Sequence, residues 1–123
     1  AVTSVTQFWR ALGAEVREMT PQDHDQAVAL TSHVPHIVAA ALAVTTPESV
    51  LPLVSTGWLD TTRVAAGEVR LWEQILFENR VDSLNGLDKF GKVLDSLQVA
   101  LAHGDRQEVA RLLQAGKDRR DAV

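Results

Sequence analysis

Apolar residues recur at helical spacing along most of this chain. Val5, Phe8, Trp9 and Leu12 fall on one stripe of a segment from Thr3 to Leu12, with Gly13 following as a helix stop. From Ala14 to Met19 apolar and charged positions alternate, which predicts a short strand or an extended linker. Thr20, Pro21 and Asp23 then supply an N-cap, a first helical position and a first-turn acid. The helix that starts there is expected to run to about Val44. Pro35 lies in its interior, where the missing N–H and a clash with the Thr31 carbonyl predict a kink.

Thr45-Thr46-Pro47-Glu48 predicts the next start, for a short helix ending near Ser55-Thr56-Gly57. Asp60 is expected to cap the segment that carries Arg63, and Gly67 separates it from a helix holding Leu71, Trp72, Ile75 and Leu76. Asn79 closes that helix or begins the next. Leu84, Leu87, Phe90, Leu94, Leu97 and Leu101 step by three and four along about five helical turns. Gly104 stops them, and Asp105 caps a last helix with Val109, Leu112 and Leu113 facing inward and a basic tail from Lys117 to Arg120. The pattern is all-α, a bundle of about six to seven helices with one long kinked member.

A length of 123 residues fits one domain, able to bury about two-thirds of its unfolded surface without staples. A net charge of −4 gives no general attraction for phosphate backbones, so nucleic acid is not an expected partner. The absence of cysteine excludes disulfides and thiolate metal sites and fits a reducing cytosol. No apolar run reaches the ~18 residues of a membrane span, and Ile37 to Val44 reads as buried helix. No signal peptide is visible, and a start at Ala1 fits processing or an excised domain.

The chemistry concentrates in two segments. The first, HDQAVALTSHVPH, holds His24, His33 and His36, three of the four histidines of the chain. On an ideal helix His33 and His36 lie about 60° apart on one face, with His24 roughly opposite His33. A metal reading would use His33 and His36 with a carboxylate, but no third ligand of suitable type is evident. The alternative is a pair of core histidines bonded to backbone that Pro35 frees. His24 beside Asp25 in the first turn reads as structural.

The second segment is GWLDTTRVAAGEVRLWEQILFEN, where Arg63 stands in a mostly uncharged stretch. A guanidinium in a dry pocket near Trp72 would clamp a carboxylate, with Asp60 orienting it. Against that stands a surface ion pair between Arg63 and Asp60. The glycines are scattered singly and form no phosphate-binding loop. The two segments together suggest half of a site for an anionic substrate.

The order and spacing of these motifs resemble the C-terminal domain of the prephenate/arogenate dehydrogenase family. FWRALGAEVREM (Phe8 to Met19), HDxxxAxxSHxPH (His24 to His36), GWLDTTR (Gly57 to Arg63), Trp72 and Asn79 carry the resemblance, completed by a leucine-rich helix and a basic tail. Leu59 departs from it, since many relatives have a basic or polar residue there.

The resemblance implies a helical dimerisation and substrate-binding domain over residues 20–123, forming an intertwined homodimer, with 1–19 as the end of a nucleotide-binding domain or linker. It implies an NAD- or NADP-dependent oxidative decarboxylation of prephenate or arogenate in the full-length cytoplasmic enzyme, with tyrosine as a feedback inhibitor. The base and the cofactor loop belong to the Rossmann domain, so this portion is expected to be inactive alone and to bind no cofactor. His36 and Arg63 match positions that contact substrate oxygens, Ser32 and Gly57 match neighbours in the pocket, and Trp72 matches an aromatic that supports it. His24, Asp25 and His33 match structural or subunit-junction positions. Two other readings use the same residues: a free-standing dimer that senses tyrosine or a related aromatic acid, and a purely structural oligomerisation module.

Overall fold

The computed structural model describes residues 1–123 and contains seven α-helices, no strands and no cis peptide bonds. Helix α1 (Val2–Ala11) ends at Gly13, whose φ of 83° is open to glycine without strain. The Gly13 and Ala14 N–H groups donate to the Arg10 and Trp9 carbonyls, closing a Schellman cap. Residues 14–20 form an extended linker, not a strand. α2 (Pro21–Val28) starts as the sequence predicts, with the Thr20 hydroxyl accepting from the Asp23 N–H at 3.1 Å.

Pro35 is accommodated by a π turn over Ala29–His33, closed by the Val34 N–H donating to the Ala29 carbonyl five residues back. α3 (Val34–Thr45) follows directly, so Pro35 occupies one of the first two helical positions of a new helix, where no N–H is needed. The helical path from Pro21 to Thr45 is therefore unbroken for 25 residues. By length and mean composition it could cross a membrane, although its longest uninterrupted apolar stretch, Ile37 to Val44, stays short of the ~18 residues of a span. Proline and the polar residues do not interrupt the helical path, because the π turn absorbs the mismatch.

Glu48–Leu53 is a 3-10 helix where a short α-helix was expected. α4 (Thr56–Thr62) begins at Ser55, which places Asp60 inside the helix and not at its cap. Arg63 opens a second 3-10 turn, Arg63–Ala66. α5 (Val69–Glu78) is capped by the Glu68 carboxylate, which accepts from the Arg70 and Leu71 N–H groups. Asn79 is both the last cap of α5 and the first of α6 (Arg80–Ala102). Gly104, at φ 64°, closes α6 with a second Schellman cap, and Asp105 caps α7 (Arg106–Asp121).

The packed centre lies where the π turn and α3 meet α6 and the Arg63–Ala66 turn. Gly86 of α6 permits the closest approach there: a Cβ would come within 2.7 Å of Val34 Cγ2 and 3.3 Å of Leu30 Cδ2. Yet only ten of 123 residues are buried, and no large side chain is fully enclosed. The expectation that the chain buries an ordinary core by itself does not hold. Leu84, Leu94 and Leu101 of the α6 stripe are 58%, 53% and 68% exposed, and Leu113, expected inward, is 62% exposed. A 23-residue α6 reaches about 35 Å, too long for the remaining short helices to cover. The stripe of α1, Val5, Phe8, Trp9 and Leu12, is likewise open.

Candidate functional site

His36 and Trp72 form the centre of the site. Their rings are stacked, with centroids 3.7 Å apart and planes 16° from parallel. His33 meets the same indole edge-on, at 6.3 Å and 85°. One residue permits the close stack: a Cβ on Gly67 would lie 2.6 Å from Trp72 Nε1 and 3.2 Å from His36 Cε1. Three segments thus converge on one aromatic: the π turn, the first turn of α3 and α5 with its preceding loop.

Both histidines are buried, but their polar partners differ. His33 Nδ1 lies 3.3 Å from Asn79 Nδ2 and 3.3 Å from the Ser83 hydroxyl. His36 Nδ1 is buried with no partner in the chain. Burial lowers the His36 pKa from 6.5, since charge is costly where water is excluded, and the ring is neutral at pH 7. The core-histidine reading therefore holds in part. His33 is satisfied by side chains of α6 and its cap, not by backbone freed at Pro35, and His36 is left with an open valence beside an aromatic wall. An unpaired buried nitrogen costs about 1–3 kcal/mol, which marks His36 as a group shaped for something other than stability.

Arg63 stands at the end of α4, in the turn that packs against α3. α4 is anchored to the end of α3 by Trp58 Nε1, which donates to the Thr46 hydroxyl at 2.9 Å. The five ion pairs join Arg17 to Glu15, His24 to Asp25, Lys92 to Asp88, Arg111 to Glu108 and Lys117 to Asp121. Arg63 is in none of them, so the alternative of an Arg63–Asp60 surface pair falls. The arginine is exposed, not enclosed in a dry pocket within this chain. Ser32 is exposed on the π turn, and Gly57 is open in the first turn of α4.

His24 and Asp25 pair at 3.2 Å on the surface. Ideal geometry sets His24 opposite His33, but the two line one cleft of about 300 Å³ with Asp25, Glu78 and Asn79. The π turn holds one extra residue and so turns the helix face back by about 100°, one residue step. Sequence reading missed Ser83 altogether and gave Gly67 only as a helix separator, since the roles of both at the site exist only across helix contacts. Asn79 had two signals, its place between two helical patterns and its place in the family resemblance.

Comparison with known proteins matches these elements as a set. Residues 20–115 match the family described as prephenate dehydrogenase, dimerization domain. The chain is 31% identical to prephenate dehydrogenase of Bacillus subtilis (strain 168), aligning over 100% of this chain and 35% of that protein. It is 37% identical to cyclohexadienyl dehydrogenase of Zymomonas mobilis, over 85% of this chain and 38% of the relative. It superposes on Synechocystis arogenate dehydrogenase with a TM-score of 0.88 and 31% identity, covering 98% of this chain and 46% of that one. The structure of prephenate dehydrogenase from A. aeolicus in complex with hydroxyphenyl propionate and NAD+ gives 0.86 and 30%, with 98% and 44% coverage. The chain thus spans little more than a third of the curated relatives' length. With the helical order, the His36–Trp72 wall and these matches in agreement, the chain belongs to the prephenate dehydrogenase dimerization-domain family.

Proposed function

We propose that this chain is the dimerisation portion, and one wall of the substrate pocket, of a cytoplasmic NAD- or NADP-dependent prephenate or arogenate dehydrogenase. The observation that carries the reading is the buried, unpartnered Nδ1 of a histidine stacked on Trp72, with an uncompensated Arg63 on an adjoining turn. The reaction is the oxidative decarboxylation of prephenate to 4-hydroxyphenylpyruvate. A flat ring carrying carboxylates needs an aromatic wall, a fixed cation and a neutral donor. Trp72, Arg63 and His36 supply those three, with Ser32 and Gly57 at the rim. The guanidinium fork grips a carboxylate through two parallel bonds, and the contact strengthens once a second domain excludes water. His24, Asp25, His33 and Asp60 support this arrangement without touching substrate.

Residues 1–19 form the end of the nucleotide-binding portion, and 20–123 the helical domain. The seven glycines stand singly at helix ends or within helices, so no phosphate cradle is built from these residues and no step through the nicotinamide cofactor is assigned to them. The cofactor falls to the rest of the protein. Exposed apolar faces on α6 and α1 support assembly, with a second copy covering α6 in a homodimer and the nucleotide-binding portion covering α1. Tyrosine, which keeps the ring and a carboxylate of the product, would compete at the same wall.

The test is steady-state oxidation of prephenate and arogenate by the full-length protein with NAD and NADP. Turnover of either substrate is expected, with reduced nicotinamide and carbon dioxide formed in equal amounts. Oxidation of neither would overturn the reading.

A further inference from the structure

Asn79 is bound at three places at once. It caps α5 and α6, its Nδ2 donates to the Asp25 carbonyl at 2.8 Å, and the same Nδ2 lies 3.3 Å from His33 Nδ1. A backbone carbonyl only accepts, so the Asp25 contact fixes which end of the amide is NH2. The second hydrogen of that NH2 then meets His33 Nδ1, which has to accept it. The Ser83 hydroxyl reaches the same nitrogen at 3.3 Å from one turn further along α6. An imidazole nitrogen that accepts carries no hydrogen, so a neutral His33 holds its hydrogen on Nε2.

We infer that Asn79 and Ser83 are positioning residues for the substrate wall: they lock His33 as the neutral Nε2–H tautomer, edge-on to Trp72, so that Trp72 stays flat against His36. The inference rests on the proposed role of His36 and Trp72 in the pocket, and it extends that role to two residues of α6 and its cap. The chain of contacts is continuous. Asn79 and Ser83 hold His33, His33 abuts Trp72 at 85°, and Trp72 stacks on His36 at 16°. Burial of Ser83, His33 and His36 leaves little room for the rings to settle otherwise. The anchor to the Asp25 carbonyl ties the same junction to the end of α2, so one side chain registers three helices about the wall.

The experiment uses the full-length protein labelled with 15N at histidine, with the His33 signals assigned through His33→Gln. At pH 7.5, His33 is expected to show a bare Nδ1 and a protonated Nε2. In Asn79→Ala the single tautomer gives way to a mixture, because the remaining Ser83 hydroxyl can either donate or accept; in Ser83→Ala, Asn79 keeps the tautomer and the looser ring shows in the substrate KM. Each of these variants is expected to raise the substrate KM about tenfold, the scale of one lost hydrogen bond to a buried group, with a much smaller change in kcat and in the KM for the nicotinamide cofactor. Ser83→Cys, which keeps a weak donor, is expected to recover part of the loss. A parent His33 that carries its hydrogen on Nδ1, or is doubly protonated, overturns the inference, as does an unchanged substrate KM in Ser83→Ala. These outcomes are separate from the functional reading, which stands or falls on substrate oxidation by the parent protein. Ser83→Ala removes one oxygen and leaves the cap of α6 intact, so a folding failure of Asn79→Ala does not remove the test.

Discussion

The imidazole of His36 lies flat on the indole of Trp72 at 3.7 Å, and the Nδ1 beside that stack has no partner. A face-to-face contact this close needs a gap in the adjoining loop, which Gly67 supplies. The wall is thereby rigid on one side and chemically unfinished on the other.

Arg63 is the first residue to test. Arg63→Ala in the full-length enzyme is expected to raise the KM for prephenate or arogenate by at least about tenfold, the loss of one charge-assisted contact. The KM for cofactor should barely change. Arg63→Lys should recover little, because an ammonium cannot grip two oxygens at once. Unaltered substrate KM values in both variants would remove Arg63 from the site.

The lowered pKa of His36 has a definite sign for stability. Between its folded value and the ordinary 6.5, the unfolded chain binds more protons than the folded one, so stability rises with pH across that interval. The Tm of the full-length protein is expected to be level above about pH 7 and to fall as pH drops below the ordinary histidine value. His36→Gln should flatten part of that fall. An identical Tm profile in parent and variant would mean that His36 ionises as freely in the folded state as in the unfolded one. In kinetics the same variant should lose part of the acid limb of kcat/KM.

Assembly is testable on α6. Phe90 and Leu94 lie on its open stripe, at 39% and 53% exposure. Phe90→Asp with Leu94→Asp is expected to convert a dimer to monomer, measured by sedimentation, because two carboxylates would have to lose water inside an apolar contact. A dimer of unchanged affinity would place the interface elsewhere.

Two glycines predict opposite responses to alanine. Gly104 holds φ at 64° with open space around it, so Gly104→Ala is expected to cost about 1 kcal/mol through backbone strain alone. Gly116 lies inside α7, also in open space, and Gly116→Ala is expected to stabilise by about 0.5–1 kcal/mol. Thermal denaturation of the two single variants reads both signs.

The helices and most of their ends are legible in the amino-acid order. Thr20 with Pro21, Gly13, Gly104 and Asp105 act within a few residues of where they stand, so capping and left-handed stops are legible locally. Motif order pointed to the family, and through it to His36, Arg63 and Trp72. Long-range packing set what the helical pattern could not. Pro35 became a π turn instead of a simple kink, because Val34 could close on Ala29 and start a fresh helix. That extra residue rotated His24 into the cleft of His33, against ideal geometry. The stack of His36 on Trp72 and the Asn79–Ser83 clasp of His33 join residues 36 to 50 positions apart, and no local rule encodes such distances. The leucine stripe of α6 was legible as amphipathic, but only the packed chain reveals that its own helices leave it uncovered. Periodicity records that a face is apolar, whereas what covers that face depends on which surfaces are near enough to exclude water from it.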